Sequence, residues 1–167
     1  MKTIFSAGSQ GVKVRFVQLL VLLMSPGCLW AAWGTVFGYG LHPQEGGELA
    51  PLGLRVALCA FFLVLGVGSA VGMWVYGRCY VMRAEVDEER GVLRITRAGF
   101  LVPNRLEVPL DAVAGSRDHD GRFHAGGVRV NAPWSSVRLL GRRLPLIVDA
   151  QGDVHDQALV DRYLLDA

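Results

Sequence analysis

Two uncharged apolar runs and one alternating stretch divide the chain. No Asp, Glu, Lys or Arg occurs from Phe16 to Leu41, nor from Val56 to Gly77. Each run exceeds the roughly 20 residues an α-helix needs to cross the hydrocarbon core of a bilayer. Two membrane-spanning helices are therefore expected. A pair of buried core helices would overwhelm so small a soluble protein. A cleaved signal peptide, suggested by Lys2 and the small residues of "LWAAW", fits poorly because the apolar stretch starts late and continues well past those alanines.

After Arg78 the period shortens to two. "YVMRAEVD" alternates, "EERG" reads as a turn, and "VLRITRAGFLV" resumes as a strand carrying Val92, Leu93 and Ile95. "NRLEVPL" alternates again, with Leu106 and Val108 inward and Arg105 and Glu107 outward. A polar, glycine-containing loop is expected between Gly115 and Gly127, then a strand at "GVRVNA". "SVRLL" and "LPLIV" read as a hairpin turning on "GRR", with Leu144, Leu146 and Val148 facing away from Arg143. "DAQGD" is a second turn. Asp153 or Asp156 is placed to cap a helix from about His155, with Leu159, Val160, Tyr163 and Leu164 on its apolar stripe.

Together these segments predict an α+β membrane protein. Residues 1–15 form a basic N-terminal arm, 16–77 a two-helix transmembrane hairpin, and 78–167 a small antiparallel β-meander domain closed by a C-terminal helix. Composition agrees: 51% of the 167 residues are hydrophobic, 21 are glycine, and mean hydropathy is +0.33. Charge adds an orientation. Lys2, Lys13 and Arg15 precede the first run, Glu45, Glu48 and Arg55 lie between the runs, and 13 arginines meet 13 acidic residues from Arg78 onward. The positive-inside rule then puts both termini in the cytoplasm or mitochondrial matrix. A segment so balanced offers no basic face for nucleic acid.

Small residues recur at helical spacing in both runs. Gly34 and Gly38 lie four apart in the first, beyond Pro26, which is expected to kink it. Gly66 and Ala70, and Gly68 and Gly72, do so in the second. Such pairs leave a groove that lets another backbone approach closely in lipid, so these six residues are the candidate helix-packing or partner-docking positions. Aromatic residues near the run ends, among them Trp74, Tyr76 and Tyr80, suit the membrane interface.

Chemistry is sparse. Cys28, Cys59 and Cys79 are too few and scattered for a disulfide framework or a zinc site, and only Cys79 lies where a thiol could react. Asp118, His119, Asp120 and His124 are the best metal candidates, yet their spacing reads as a solvated loop. His42 falls in the loop between the runs and His155 at a helix start. Glu88 with Glu89, and Asp149 with Asp153, occupy turns, where water prevents the pKa shifts that acid–base catalysis requires. No phosphate-binding loop or nucleophile elbow occurs, and the apolar runs lack the ionisable groups of pumps. The expectation is a non-enzymatic protein without cofactor or metal.

"LEVPLDAV" followed by "VRLLGRRLPLIVDAQGDVHDQALVDRYL" resembles the mitochondrial two-pass proteins of the transmembrane protein 70, 186 and 223 group, the closest matches being Val108, Pro109, Leu110, Val113, Gly141, Arg142, Asp149 and Gly152. The resemblance spans roughly Phe16 to Leu164 and implies an inner-membrane assembly factor or accessory subunit of a respiratory-chain or ATP synthase complex. Its partners would be hydrophobic membrane subunits and lipid. The short basic arm departs from the longer targeting sequence that group carries. The order of elements is also similar to bacterial membrane-anchored pleckstrin-homology-like domains, which implies a PH-like sheet domain at a bacterial inner membrane.

Overall fold

The computed structural model describes residues 1–41, 47–100, 102–125 and 128–165. The chain divides into two units, Met1–Arg15 with Val75–Ala167, and Phe16–Trp74.

The first unit is a β-domain of antiparallel sheets. Its larger sheet has the order β10-β1-β2-β3-β4, from β1 (Lys2–Ser6), β2 (Val81–Asp87), β3 (Val92–Arg97), β4 (Asn104–Pro109) and β10 (Asp153–Val154). A second sheet has the order β5-β8-β9, from β5 (Val113–His119), β8 (Trp134–Leu139) and β9 (Leu146–Asp149). β6 (Arg122–Ala125) and β7 (Val128–Asn131) pair with each other. A parallel bridge from Tyr80 to Ile147 ties the start of β2 to β9. The meander expectation therefore holds only locally, because the sheet is completed by chain ends far apart in sequence.

The basic arm is the main correction. Residues 2–6 are an inner strand of the larger sheet, with β2 on one side and β10 on the other. Ile4 and Phe5 are consecutive yet both fully buried, because the register with β2 shifts between Thr3 and Phe5. Such a bulge breaks the alternation that would have revealed the strand. β2 conceals its period in the same way: a register shift between Val81 and Arg83 leaves Val81, Ala84 and Val86 inward.

β3 and β4 follow the expected alternation. Leu93, Ile95 and Leu106 are buried, while Arg94 and Glu107, cross-strand partners, meet outside at 2.7 Å. The expected loop from Gly115 to Gly127 is instead largely strand. β5 is an edge strand whose only buried residue is Val113, so its ladder with β8 defines it rather than any apolar pattern. In the β8–β9 hairpin Leu146 and Val148 are buried, but Leu144 precedes the strand and is exposed.

The C-terminal helix α3 (Gln157–Val160) continues as a wider π-turn over Asp161–Leu165. Asp156 caps it, accepting a hydrogen bond from the Leu159 N–H at 3.2 Å. Its stripe packs as expected: Val160 and Leu164 are buried and Leu159 and Tyr163 half-buried against residues of both sheets. Fully burying one such aliphatic side chain contributes about 1.5–3 kcal/mol.

The second unit is a helical hairpin, from the greater part of α1 (Gly8–Phe37) and of α2 (Leu52–Cys79). Both helices are long and apolar enough to cross a membrane, and only 17% and 6% of their most apolar windows are buried within the protein. α1 runs through Pro26 without interruption. Arg55 closes the loop end by donating from Nη1 to the Val36 carbonyl at 2.6 Å and from Nε to the Ala50 carbonyl at 3.0 Å. It thereby satisfies one of the last carbonyls of α1, which have no acceptor role within the helix.

Candidate functional site

The six small residues of the hairpin fall into distinct environments. Gly66 is buried within a π-turn of α2, Val64–Gly68, where a Cβ would lie 2.7 Å from Cys28 Cβ and 3.4 Å from the Ser25 carbonyl oxygen. Ser25 Oγ donates to the Gly66 carbonyl at 3.2 Å, so this glycine forms the close crossing of the two helices. Ala70 and Gly38 are half-buried, and Gly38, just past the end of α1, lies beside the carbonyl of Gly34. Gly34, Gly68 and Gly72 are exposed. Apart from adjacent residues and the surrounding backbone of its own helix, no described atom lies within 4 Å of a Cβ placed at Gly34 or Gly72, and at Gly68 only Val64 Cγ1 of the same helix does, at 3.8 Å. Trp30, Trp33, Phe61 and Val64 are also strongly exposed.

In the β-domain the metal candidates separate. Asp118 and His119 are adjacent on β5, so their side chains leave opposite faces. Asp118 accepts from Ser135 Oγ at 2.5 Å, whereas His119 stacks on Trp134 at 3.9 Å and meets Ser136 Oγ through Nε2 at 3.2 Å. Asp120 is exposed, and the side chains of His124 and His42 lie outside the described residues. Among the described residues no three His, Cys, Asp or Glu side chains gather as metal ligands. The candidate reactive thiol, Cys79, is only 5% exposed, because the end of α2 turns into the core.

The paired carboxylates serve turns. Asp149 accepts from the Gln151 N–H at 2.8 Å and from the Tyr80 hydroxyl at 3.3 Å, and Glu88 accepts from Tyr163 at 3.1 Å. Burial first, then the Asp149 carboxylate, pushes the Tyr80 phenol well above the usual tyrosine range. Tyr80, Tyr76, Pro133, Trp134 and Ile147 line a small apolar cavity of about 260 Å³ beside Asp149.

The alternating pattern gave no sign of a second cavity, of about 550 Å³, lined by Arg78, Arg97, Arg142 and Arg143 with Asn104, Gly141, Leu144 and Leu146. Arg78 comes from the last turn of α2, Arg97 from the end of β3, and the arginine pair from the β8–β9 turn, where Gly141 takes a φ of +74°. Among the described residues, four guanidinium groups and no carboxylate line it. Arg97 Nη1 donates to the Arg78 carbonyl at 3.3 Å, while its Nε is buried and has no acceptor among the described residues. Burial, then the charges of Arg142 and Arg78, hold Arg97 below the ordinary arginine range. The only trace in sequence is that "GRR" and Arg97 are cationic, and their convergence depends on strand order.

The chain matches no protein-family model and no curated protein.

Proposed function

We propose that the protein is a non-enzymatic membrane-anchored interaction module. Its helical hairpin inserts in the bilayer and docks on hydrophobic membrane subunits, and its β-domain faces the cytoplasm or matrix. The observation that carries this reading is the division of labour among the glycines: Gly66 closes the hairpin, whereas Gly34, Gly68 and Gly72 leave grooves that the hairpin does not fill. The resemblance to the two-pass inner-membrane group supplies the complex, a respiratory-chain or ATP synthase assembly that this chain helps to build or joins. A bacterial inner-membrane protein with a PH-like domain is the second reading. It is favoured by the two sheets with a C-terminal helix packed against both.

Carbonate extraction tests insertion, with retention in the membrane pellet expected. Native electrophoresis after mild-detergent release tests docking, and co-migration with a larger complex is expected. Migration only as a free monomer would refute the interaction reading, and the identity of a co-migrating complex separates the mitochondrial from the bacterial assignment.

A further inference from the structure

We propose that the four-arginine cavity of the β-domain binds the phosphate of an anionic phospholipid headgroup. The inference rests on the membrane-anchored reading above. Arg78 is the first charged residue after the uncharged run Val56–Gly77, so an inserted α2 brings it to headgroup depth. The same cavity gathers Arg97, Arg142 and Arg143, and the mutual repulsion of like charges at such a site is offset by a bound anion. The buried Nε of Arg97 is an orphan donor, which costs free energy unless an acceptor reaches it. A phosphate offers several acceptor oxygens to planar guanidinium forks. The remainder of the lining favours a lipid over a free anion. Leu144 is exposed beside the arginine pair, and Leu140, just before the same turn, is exposed as well. Apolar tips flanking paired cations suit the boundary between headgroups and acyl chains. The positive-inside orientation puts the domain on the side of the membrane whose leaflet carries the anionic lipids that attract basic residues.

The test uses the full chain released in mild detergent. Native mass spectrometry follows binding of short-chain phosphatidylglycerol, phosphatidic acid and phosphatidylcholine, and inorganic phosphate is titrated separately as a competitor. Preferential binding of the two anionic lipids is expected, and inorganic phosphate should displace them only weakly. Arg142→Gln with Arg143→Gln, both in an exposed turn, should weaken anionic-lipid binding about thirtyfold. Arg90→Gln, in the turn after β2, should leave it unchanged. Equal binding of phosphatidylcholine, an unaltered affinity in the double variant, or binding of inorganic phosphate without lipid preference would each overturn the proposal. Carbonate extraction of the same proteins separates the two failures. Extraction from the membrane removes the anchored reading and this inference together, whereas retention without anionic-lipid preference removes only this inference.

Discussion

The β-domain and the helical hairpin handle apolar surface in opposite ways. The domain turns Ile4, Phe5, Tyr80, Leu93, Ile95 and Leu164 wholly inward and closes over them with a helix. The hairpin leaves tryptophans, phenylalanines and leucines exposed along both helices and, among the described residues, buries only Gln18, Ala32, Gly40 and Gly66. The first region stabilises itself in water by removing hydrocarbon from it. The second leaves its hydrocarbon uncovered by the rest of the described residues, and the surroundings that would cover it are what the proposed function supplies.

The largest effect is expected in the domain core. Leu146 is 2% exposed at the start of β9, and Leu146→Asp removes about 1.5–3 kcal/mol of burial and puts a polar group where the side chain packs into the core. Loss of most of the protein from the cell is expected by immunoblot. Leu144→Asp, two residues earlier but exposed, should accumulate normally. Equal abundance of the two variants would mean that the domain is not held together as described.

The next effects divide the hairpin. Gly66→Leu forces a side chain against Cys28 Cβ and the Ser25 carbonyl, and overpacking of this kind costs about 1–3 kcal/mol. It should loosen the hairpin, read as increased proteolysis of the detergent-solubilised chain. Gly72→Leu meets open space, so it should leave proteolysis unchanged while reducing co-purification of the partner. Leu63→Ala, also on an exposed face, should affect neither. If Gly72→Leu co-purifies with its partner at normal yield, this groove is not the docking face.

The same contrast explains which parts were legible from sequence. The hairpin could be read from run length alone, since a span is signalled by the absence of charge over many residues. β3, β4 and the stripe of the closing helix were legible because each buries every second or every third to fourth residue. β1 was hidden because its bulge puts Ile4 and Phe5 on the same side and because its partners lie some 80 and 150 residues away. β5 was hidden for the opposite reason: an edge strand that exposes Ser116, Arg117 and Asp118 has no apolar period to detect. The small-residue positions were visible, but not which of them the hairpin itself occupies, because that depends on which face each helix turns to the other. The arginine cavity was invisible because its arginines come from three separate places, the end of α2, the end of β3 and the β8–β9 turn, that only the fold brings together.

The smallest effect concerns the join between β1 and the closing helix. Lys2 Nζ reaches Asp156 at 2.6 Å, and Asp156 also caps α3. The hydrogen bond from Lys2, then that from the Leu159 N–H, holds the Asp156 carboxyl below its ordinary 3.8, and the same pairing with Asp156 raises Lys2 above its ordinary 10.5. A carboxyl depressed in the folded state stabilises above its unfolded value and loses that contribution as pH falls through the folded one. A raised lysine stabilises below its unfolded value and loses that contribution as pH rises through the folded one. The pair therefore contributes across the interval from 3.8 to 10.5 and fades beyond either end. Both groups are solvated, so the contribution is small and weakened by salt. Asp156→Asn keeps an acceptor for the helix cap and removes only the charge. It should lower the melting midpoint slightly at neutral pH and low salt, with the difference shrinking in high salt and fading in acid as the native carboxyl takes up its proton. A difference that persists in acid would assign the effect to the cap. Loss of partner association in Asp156→Asn with the fold and abundance intact would give this carboxylate a functional role beyond the architecture described.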